Sequence, residues 1–319
     1  MDINRWLILF LFVTGWHPAV KRITVAADGS GDYRSVQAAL DAVPYGNKDP
    51  VTIYIKKGLY REKLHLDAKK DHVTLVGEDS AATILTYDDH PGMVSPSGDS
   101  INTRNSHSFL VLADDFSARN LTFRNDAGFS AGQAVALEVQ GDRASFRDCR
   151  IIGNQDILFL NSESSRQYYA GCYIEGTTDF IFGPATAWFD HCQIYSKKNS
   201  HVTAASTPKD HPFGFVFYEC RLTGDSALHN VSLGRPWRPY AQVTYIHCYL
   251  GPQIKAEGWS NWNNTENYKT ARFAEYEDYG PGADTASRVP WSRQLTKQEI
   301  QTLTTKKVFG DWSPLKEHQ

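Results

Sequence analysis

The sequence has few of the residues that hold metals or disulfide frameworks. Its 319 residues include five cysteines and two methionines, and no C-x-x-C pair occurs. The eleven histidines are scattered, and no H-E-x-x-H motif is present. These absences exclude zinc-ribbon, thioredoxin-like and zinc-protease patterns, so we predict no metal site.

Positive charge is not in excess either. The chain carries 33 Lys and Arg against 36 Asp and Glu, a net charge of -3. This balance excludes the strongly basic face of a nucleic-acid-binding protein, so we expect no nucleic-acid partner. With 41% hydrophobic and 22% charged residues the composition is that of a soluble globular protein. No linker or low-complexity segment divides the chain, which favours a single domain.

Long apolar runs are missing, apart from one near the N-terminus. The run Trp6–Trp16 follows a short segment that carries Arg5. It is too short to span a bilayer and is typical of the apolar region of a signal peptide. We therefore predict a signal peptide over residues 1–20, one domain over residues 21–319, no stable membrane insertion, and a secreted, periplasmic or extracellular location. The alternative is a buried N-terminal strand, because Asp2 and the lack of a clear cleavage site do not fit a signal peptide well.

A degenerate repeat is the main feature of the rest of the chain. Each copy has an aromatic residue, then two residues, then Cys or Asn, and two positions later an aliphatic residue. The Cys or Asn positions are 120, 149, 172, 192, 220 and 248. Periods of about 20 to 30 residues with one strand per copy indicate a parallel β-solenoid whose neighbouring coils complete each other's core. On this interpretation the cysteines Cys149, Cys220 and Cys248 are small apolar residues that stack inside the solenoid.

Other segments fit the same architecture. Val51–Lys56 and His72–Val76 alternate apolar and polar residues as strands do. The helical spacing of Val36, Leu40 and Val43 ends at Pro44, which predicts a short helix that closes the N-terminal end of the solenoid. Near the C-terminus, Thr296-Lys-Gln-Glu299 is a capping box that predicts a second short helix.

Two aspartates occupy the same place in successive copies of the repeat. Asp156 follows Cys149 by seven residues, and Asp179 follows Cys172 by seven residues. In stacked coils the two carboxylates would lie about 5 Å apart. Like charges at that distance cannot both ionise freely, so one carboxyl stays protonated. Such a pair is what nucleophilic or acid/base catalysis requires.

Amide and guanidinium groups accompany this pair in the sequence. Gln155 directly precedes Asp156, and Gln133 lies one predicted coil earlier. Side-chain amides stabilise a developing oxyanion in acyl transfer, although a single Gln on a strand is more often simply solvated. Arg235 can pair with one aspartate, and Trp237 can stack on the apolar face of a sugar. The segment Leu233–Trp237 could equally be a structural turn.

Four segments around these residues occur in a fixed order. They are Gln133-Ala-Val-Ala-Leu137, Gly153-Asn-Gln-Asp156-Ile-Leu158, Gly176-Thr-Thr-Asp179-Phe-Ile-Phe-Gly183 and Leu233-Gly-Arg-Pro-Trp237. This set resembles the signature segments of pectin methylesterases (pectinesterases). Further similar segments include Asp28–Tyr33, Val36–Pro44, Lys57–Glu62, Gly214–Phe217, Gly258–Trp262 and Tyr279–Ala283, so the resemblance covers residues 22 to 315.

The resemblance implies an all-β, right-handed, single-stranded parallel β-helix with short capping helices at its ends. It also implies hydrolysis of the methyl esters of pectin (homogalacturonan), without a cofactor and by a monomer. Carried over residue by residue, Asp179 would be the nucleophile and Asp156 the general acid and then base. Gln155 and Gln133 would hold the oxyanion, Arg235 would hydrogen-bond the nucleophile, and Thr103 and Trp237 would contact substrate. The disulfide of the family would join Cys172 and Cys192, which suits an oxidising compartment.

The sequence also departs from the family pattern. The family usually has Thr where this chain has Ile157, so a hydroxyl beside the acid is missing. Thr178 replaces a commoner Val, and Val202-Thr-Ala-Ala-Ser206 lacks a Gln that is common in plant members. These traits favour a bacterial-type member.

Three other functions fit part of the pattern. Carboxylates about 5 Å apart also suit a retaining glycosidase, which is the main alternative. A non-catalytic carbohydrate-binding solenoid would keep the tryptophans but would not need the carboxylate pair. The third alternative is that the same catalytic residues hydrolyse a different ester, such as a thioester. The paired amides favour the methyl esterase, since an oxocarbenium-like transition state has no use for oxyanion donors.

Overall fold

A computed structural model of the protein describes residues 21–314. In this range the chain forms 26 short strands, a few short helices and the segments that connect them. In chain order, β1 to β13 are Lys21–Val25, Val51–Ile55, Gly58–Arg61, Leu64–Leu66, Val73–Gly77, Thr83–Tyr87, Phe109–Val111, Ser117–Arg119, Thr122–Asn125, Leu137–Val139, Ala144–Arg147, Arg150–Ile152 and Leu158–Leu160. Strands β14 to β26 are Arg166–Ala170, Tyr173–Gly176, Ile181–Gly183, Thr186–Asp190, Gln193–Ser196, His201–Ala205, Phe215–Tyr218, Arg221–Gly224, Ser232–Pro236, Gln242–Ile246, Tyr249–Leu250, Arg272–Tyr276 and Arg293–Gln294.

The strands build three parallel sheets that the chain visits in turn. The 11-stranded sheet has the order β1-β2-β5-β8-β11-β14-β17-β20-β23-β25-β26. The 8-stranded sheet runs β24-β21-β18-β15-β12-β9-β6-β3, and the 7-stranded sheet runs β22-β19-β16-β13-β10-β7-β4. From β7 to β24 each coil contributes one strand to each sheet. This is the parallel β-helix that the repeat predicts, and the predicted strands around Val51 and Val73 are confirmed as β2 and β5.

The repeat in the sequence corresponds to a corner between two sheets. A strand of the 11-stranded sheet ends, one residue adopts a left-handed backbone, and a buried cysteine leads into the next strand. The left-handed residues include Asp148, His191, Glu219 and His247, with φ between 50° and 54°. Because the corner has the same shape in each coil, successive strands stay in register, as in the pairs Phe146↔Tyr169 and Phe189↔Phe217.

All five cysteines are buried free thiols at these corners. The packing role predicted for Cys149, Cys220 and Cys248 is confirmed, since each is at most 1% exposed. The disulfide expected between Cys172 and Cys192 is not formed in the structure. Each thiol instead donates a hydrogen bond to the main chain of the preceding coil, from Cys172 to the Phe146 carbonyl at 3.6 Å and from Cys192 to the Tyr169 carbonyl at 3.4 Å.

Short helices flank the solenoid. Helix α1 (Val36–Asp41) buries Val36, Ala39 and Leu40 against the first coils, as predicted, and the Ser35 hydroxyl caps it. Helix α2 (Lys297–Ile300) begins with the predicted capping box of Thr296 and Glu299, and helix α3 is Thr305–Phe309. Single 3-10 turns cover Thr103–Asn105 and Asn267–Lys269.

The C-terminal segment packs on the outside of the 11-stranded sheet. Val308, Phe309 and Trp312 contact the outward side chains of that sheet, among them Tyr168 and Trp188. Over residues 21–314 no helix has the length and apolar character that a bilayer crossing requires. The predicted signal peptide, residues 1–20, lies outside the described residues.

Candidate active site

Asp156 and Asp179 stand one coil apart on the outside of the 7-stranded sheet. They precede β13 and β16, and the pairing Leu158↔Ile181 keeps the two aspartates in register. Both have a left-handed backbone, with φ of 58° at Asp156 and 49° at Asp179. Asp tolerates this conformation better than most residues because its short polar side chain can bond locally. The sharp corner turns each carboxylate outward while the next residue, Ile157 or Phe180, enters the core.

The two carboxylates have different partners. Arg235 from β22 donates two hydrogen bonds to Asp179, from Nε to Oδ1 at 3.0 Å and from Nη2 to Oδ2 at 2.6 Å. The guanidinium carbon of Arg235 also lies 4.0 Å from the centre of the Trp262 ring. Within residues 21–314 no hydrogen bond reaches the buried Oδ1 of Asp156. These bonds favour the ionised form of Asp179, whereas Asp156 has no ion-pair partner.

Burial and charge set the proton affinities of the pair. Burial, and then the neighbouring Asp179, raise the pKa of Asp156 well above its usual value, against smaller opposing effects of Gln155 and Arg235. Burial also raises the pKa of Asp179, but the bonds and charge of Arg235 oppose it. Arg235 thus limits the rise at Asp179 without reversing it. The proton of the pair resides on Asp156.

Two amide side chains lie beside the aspartates. Gln133 and Gln155 form a parallel bridge between neighbouring coils, four residues before β10 and three residues before β13. Both border the same cleft as the two carboxylates. Side-chain amide N–H groups can stabilise negative charge on an acyl oxygen that is bound in such a cleft.

The cleft runs along the solenoid axis and has a volume of about 350 Å³. Thr103 borders it on the coil of β7, and Trp237 borders it just after β22, so every predicted site residue lies around this one cleft. Its floor contains a stacked pair, Phe159 and Phe182, with ring centres 4.3 Å apart. Trp237 lies edge-on to Phe182 at 6.0 Å and 6.5 Å from Trp262.

Some residues of the cleft were not predicted. Phe159 and Phe182 occupy equivalent outward positions on β13 and β16, and Trp262 and Arg104 come from connecting segments. The two phenylalanines had a signal in the sequence, because each sits three residues after a predicted aspartate. The departure at Ile157 does not alter the cleft, since this side chain is fully buried in the core.

Comparisons with known proteins identify the family of the chain. Residues 22–311 match the pectinesterase family model. The chain belongs to the pectinesterase family. It is 39% identical over 284 residues to Pectinesterase 31 of Arabidopsis thaliana, a match that covers 88% of this chain and 89% of that protein.

Solved structures of pectinesterases have the same fold. Pectin methylesterase from carrot superposes with a TM-score of 0.83 at 33% identity, over 90% of this chain and 92% of that one. PemA, the pectin methylesterase of Erwinia chrysanthemi, gives 0.82 at 28% identity, over 93% and 99%. These comparisons do not support the bacterial-type assignment, because both plant proteins are more similar in sequence than this bacterial one. The differences at residues 157, 178 and 202–206 are too few to distinguish bacterial from plant members of the family.

Proposed function

We propose that this pectinesterase hydrolyses the methyl esters of pectin with Asp179 as nucleophile and Asp156 as proton donor and acceptor. The observation that carries the proposal is the asymmetry of the pair. One buried carboxylate is held by a bidentate arginine, and its neighbour has an elevated pKa and no charged partner. Ester hydrolysis through an acyl-enzyme needs these two states side by side.

In the first half of the reaction, an oxygen of Asp179 attacks the ester carbonyl carbon of a galacturonosyl unit. The carbonyl oxygen becomes an oxyanion that accepts hydrogen bonds from the amides of Gln133 and Gln155. The bond to the methoxy oxygen then breaks, and Asp156 gives its proton to that oxygen, so methanol leaves. An anhydride between Asp179 and the sugar carboxyl remains.

In the second half, Asp156 is ionised and accepts a proton from water. The hydroxide formed attacks the anhydride carbonyl, Asp179 departs as a carboxylate, and the product is a galacturonate unit with a free carboxyl group. Asp156 is protonated again, which restores the starting state. Arg235 keeps Asp179 ionised and oriented at both ends of the cycle, and Thr103 and Trp237 hold the polymer on either side.

We further propose that the protein acts outside the cytoplasm, as a monomer with one catalytic domain over residues 21–319. The apolar segment at residues 6–16 supports export. The described residues of one chain supply both carboxylates, both amides and Arg235, so the proposed reaction does not require a second subunit. The glycosidase alternative is disfavoured by the two amides, which serve an oxyanion and not an oxocarbenium ion.

The test is methanol release from methyl-esterified pectin by the wild type and by Asp179→Asn, with new reducing ends measured in parallel. We expect methanol without reducing ends from the wild type, and a loss of roughly a thousandfold or more in Asp179→Asn. Asp210→Asn, an exposed aspartate away from the cleft, is the matched control and should keep full activity. Methanol release near the wild-type rate by a folded Asp179→Asn variant would disprove the assignment, and reducing ends would favour the glycosidase.

A further inference from the structure

Asp179 has a second neighbour in the stack of coils, on the side away from Asp156. Strand β16 pairs with β19 in the register Ile181↔Thr203. Two positions before this pair, Asp179 stands opposite His201, and the His201 carbonyl accepts a hydrogen bond from the Asp179 N–H at 2.8 Å. The nucleophile therefore lies between an acid in the preceding coil and a histidine in the following coil.

The His201 ring is held by the coil that follows it. Strand β19 pairs with β22 so that His201 is opposite Ser232. Nδ1 of His201 lies 2.7 Å from the Ser232 hydroxyl oxygen. Ser232 is buried, and its hydroxyl also donates to the Gly234 carbonyl at 3.4 Å. The ring thus has a fixed partner on the side that faces away from Asp179.

The imidazole of His201 is neutral in the folded protein. Burial of the ring, and then the positive charges of Arg235 and Lys255, lower the pKa of His201 to about 3. Lys255 is itself held in place, because its Nζ donates to the Ser260 hydroxyl at 2.9 Å. A neutral ring adds no positive charge beside the nucleophile, so it does not compete with Arg235 for Asp179.

Arg235 reaches Asp179 across the coil that contains His201. Strand β19 lies between β22 and β16 in the 7-stranded sheet. The residue of β19 that is paired with Arg235 is Ala204, whose small side chain leaves room for the guanidinium to cross. Among the described residues, those that border the cleft include Asp179, Arg235 and Ala204 but not His201. His201 therefore stands behind the ion pair and away from the polymer.

We propose that His201 is a positioning residue for the nucleophile. Its neutral ring, held by Ser232, covers the side of the Asp179–Arg235 pair that faces away from Asp156 and keeps water from that side. Exclusion of water strengthens the ion pair, which keeps the Asp179 carboxylate in the orientation that attack requires. This inference rests on the proposed function.

The experiment measures kcat and KM for methanol release, with the folded fraction of each variant determined by near-ultraviolet circular dichroism. For His201→Ala we expect kcat to fall about ten- to a hundredfold, because a small displacement of a reacting group has that effect. KM should stay within about twofold, since His201 does not touch the polymer. His201→Asn places an amide nitrogen near the position of Nδ1 and can keep the bond to Ser232, so it should recover most of the lost kcat. Ser232→Ala should lower kcat by a smaller factor than His201→Ala.

A charged replacement provides a readout that a general loss of structure would not give. His201→Lys places a cation beside the two carboxylates and favours their ionised forms. The fall of kcat/KM at alkaline pH, where Asp156 loses its proton, should therefore begin at lower pH in His201→Lys than in the wild type. The neutral variant His201→Asn should keep the pH profile of the wild type.

The matched control is His229→Ala, which removes an exposed histidine from the segment before β22, outside the cleft. It should behave as the wild type. Wild-type kcat in His201→Ala, a higher KM with unchanged kcat, an equal loss of kcat in His201→Ala and His201→Asn, or an unchanged alkaline profile in His201→Lys would overturn the inference. Each of these results leaves the proposed function intact. If the wild type itself releases no methanol, the proposed function fails instead.

Discussion

Two aspartates with the same backbone conformation have different properties because of their neighbours. Asp156 and Asp179 share the register position, the left-handed φ and nearly complete burial, at 9% and 4% exposure. Arg235 bonds with Asp179 alone. The stacking of the coils thus brings the two acids close together, and Arg235 from β22 makes Asp156 the acid that keeps the proton.

The elevated pKa of Asp156 predicts a pH-dependent stability effect. In the folded state this carboxyl binds its proton more tightly than in the unfolded chain, where the pKa is about 4. Binding of this proton therefore stabilises the folded state. The stabilisation is complete at pH values below the unfolded-state pKa and is lost as the pH rises through the folded-state pKa of Asp156. Asparagine has no such proton, so the Tm of Asp156→Asn relative to the wild type should rise by about 2 °C or more between pH 4 and pH 8.

Thermal unfolding of both proteins across this pH range tests the prediction. Asp210→Asn, which changes an exposed aspartate away from the cleft, is measured alongside as the control. A difference between Asp156→Asn and wild type that is constant with pH would contradict the elevated pKa.

At the scale of single residues, most of the residues around the cleft could be predicted from the sequence. The predicted residues Thr103, Gln133, Gln155, Asp156, Asp179, Arg235 and Trp237 all border one cleft. The sequence did not predict that Trp262 and Arg104 border the cleft. Both lie in connecting segments, whose sequence has no periodicity from which the direction of a side chain could be predicted. The sequence also could not tell whether Cys172 and Cys192 are bridged, since stacked cysteines suit both a disulfide and the thiol bonds that the structure has.

At the scale of elements, the strands are short and the columns of side chains that cross them are long. One column inside the solenoid consists of aromatic rings from successive strands of the 11-stranded sheet. Its members are Phe146, Tyr169, Phe189, Phe217 and Tyr245, with ring centres 4.4 to 4.8 Å apart. The aromatic position of the repeat predicts this column, because an inward residue in a fixed register meets its counterpart in the next coil.

Removal of one ring should destabilise the whole solenoid. Phe189 is fully buried between Tyr169 and Phe217. Phe189→Ala leaves a cavity and loses both stacking contacts, so we expect the free energy of unfolding to fall by about 3–5 kcal/mol. Phe189→Leu should cost less, because it fills most of the space. Denaturant unfolding measures both, and Phe129→Ala, which truncates a ring that is 56% exposed, is the control. A similar small loss in all three variants would show that the column contributes little.

The irregular spacing of the repeat also has a structural reason at this scale. The strands are two to five residues long, and most of the difference between coils of 20 and 29 residues lies in the connecting segments. Two further connecting segments border the cleft, the turn with Thr103 before these coils and the stretch with Trp262 after them. The conserved geometry of the coil was therefore predictable from the repeat, and the shape of the cleft wall was not.

At the scale of the whole molecule, the two ends of the described chain are covered differently. Helix α1 packs on the first coils, and Trp291 packs on Phe273 of β25, with ring centres 5.9 Å apart. The segment after Leu303 lies on the outer face of the 11-stranded sheet, where Arg166 joins it by donating to the Phe309 carbonyl and to Asp311. This segment covers apolar side chains that would otherwise face water.

Truncation after Leu303 should therefore expose an apolar surface without disturbing the cleft, which lies on a different sheet. We expect the truncated protein to associate and to bind a hydrophobic dye, because an uncovered patch with Tyr168, Trp188 and Val216 favours aggregation. Its activity per folded molecule should stay close to that of the full chain. Light scattering after gel filtration and dye fluorescence measure the effect, and truncation after Pro314 is the control. A monomeric truncated protein without dye binding would contradict the covering role.

The stacking of coils also relates chain order to position along the polymer. Each step of 20 to 30 residues in the sequence advances the cleft by one strand spacing, roughly 5 Å. A change within one coil therefore alters one contact with the polysaccharide and leaves the contacts before and after it in place. Substitutions within a single coil can therefore change substrate preference at one position along the polymer without altering the neighbouring contacts.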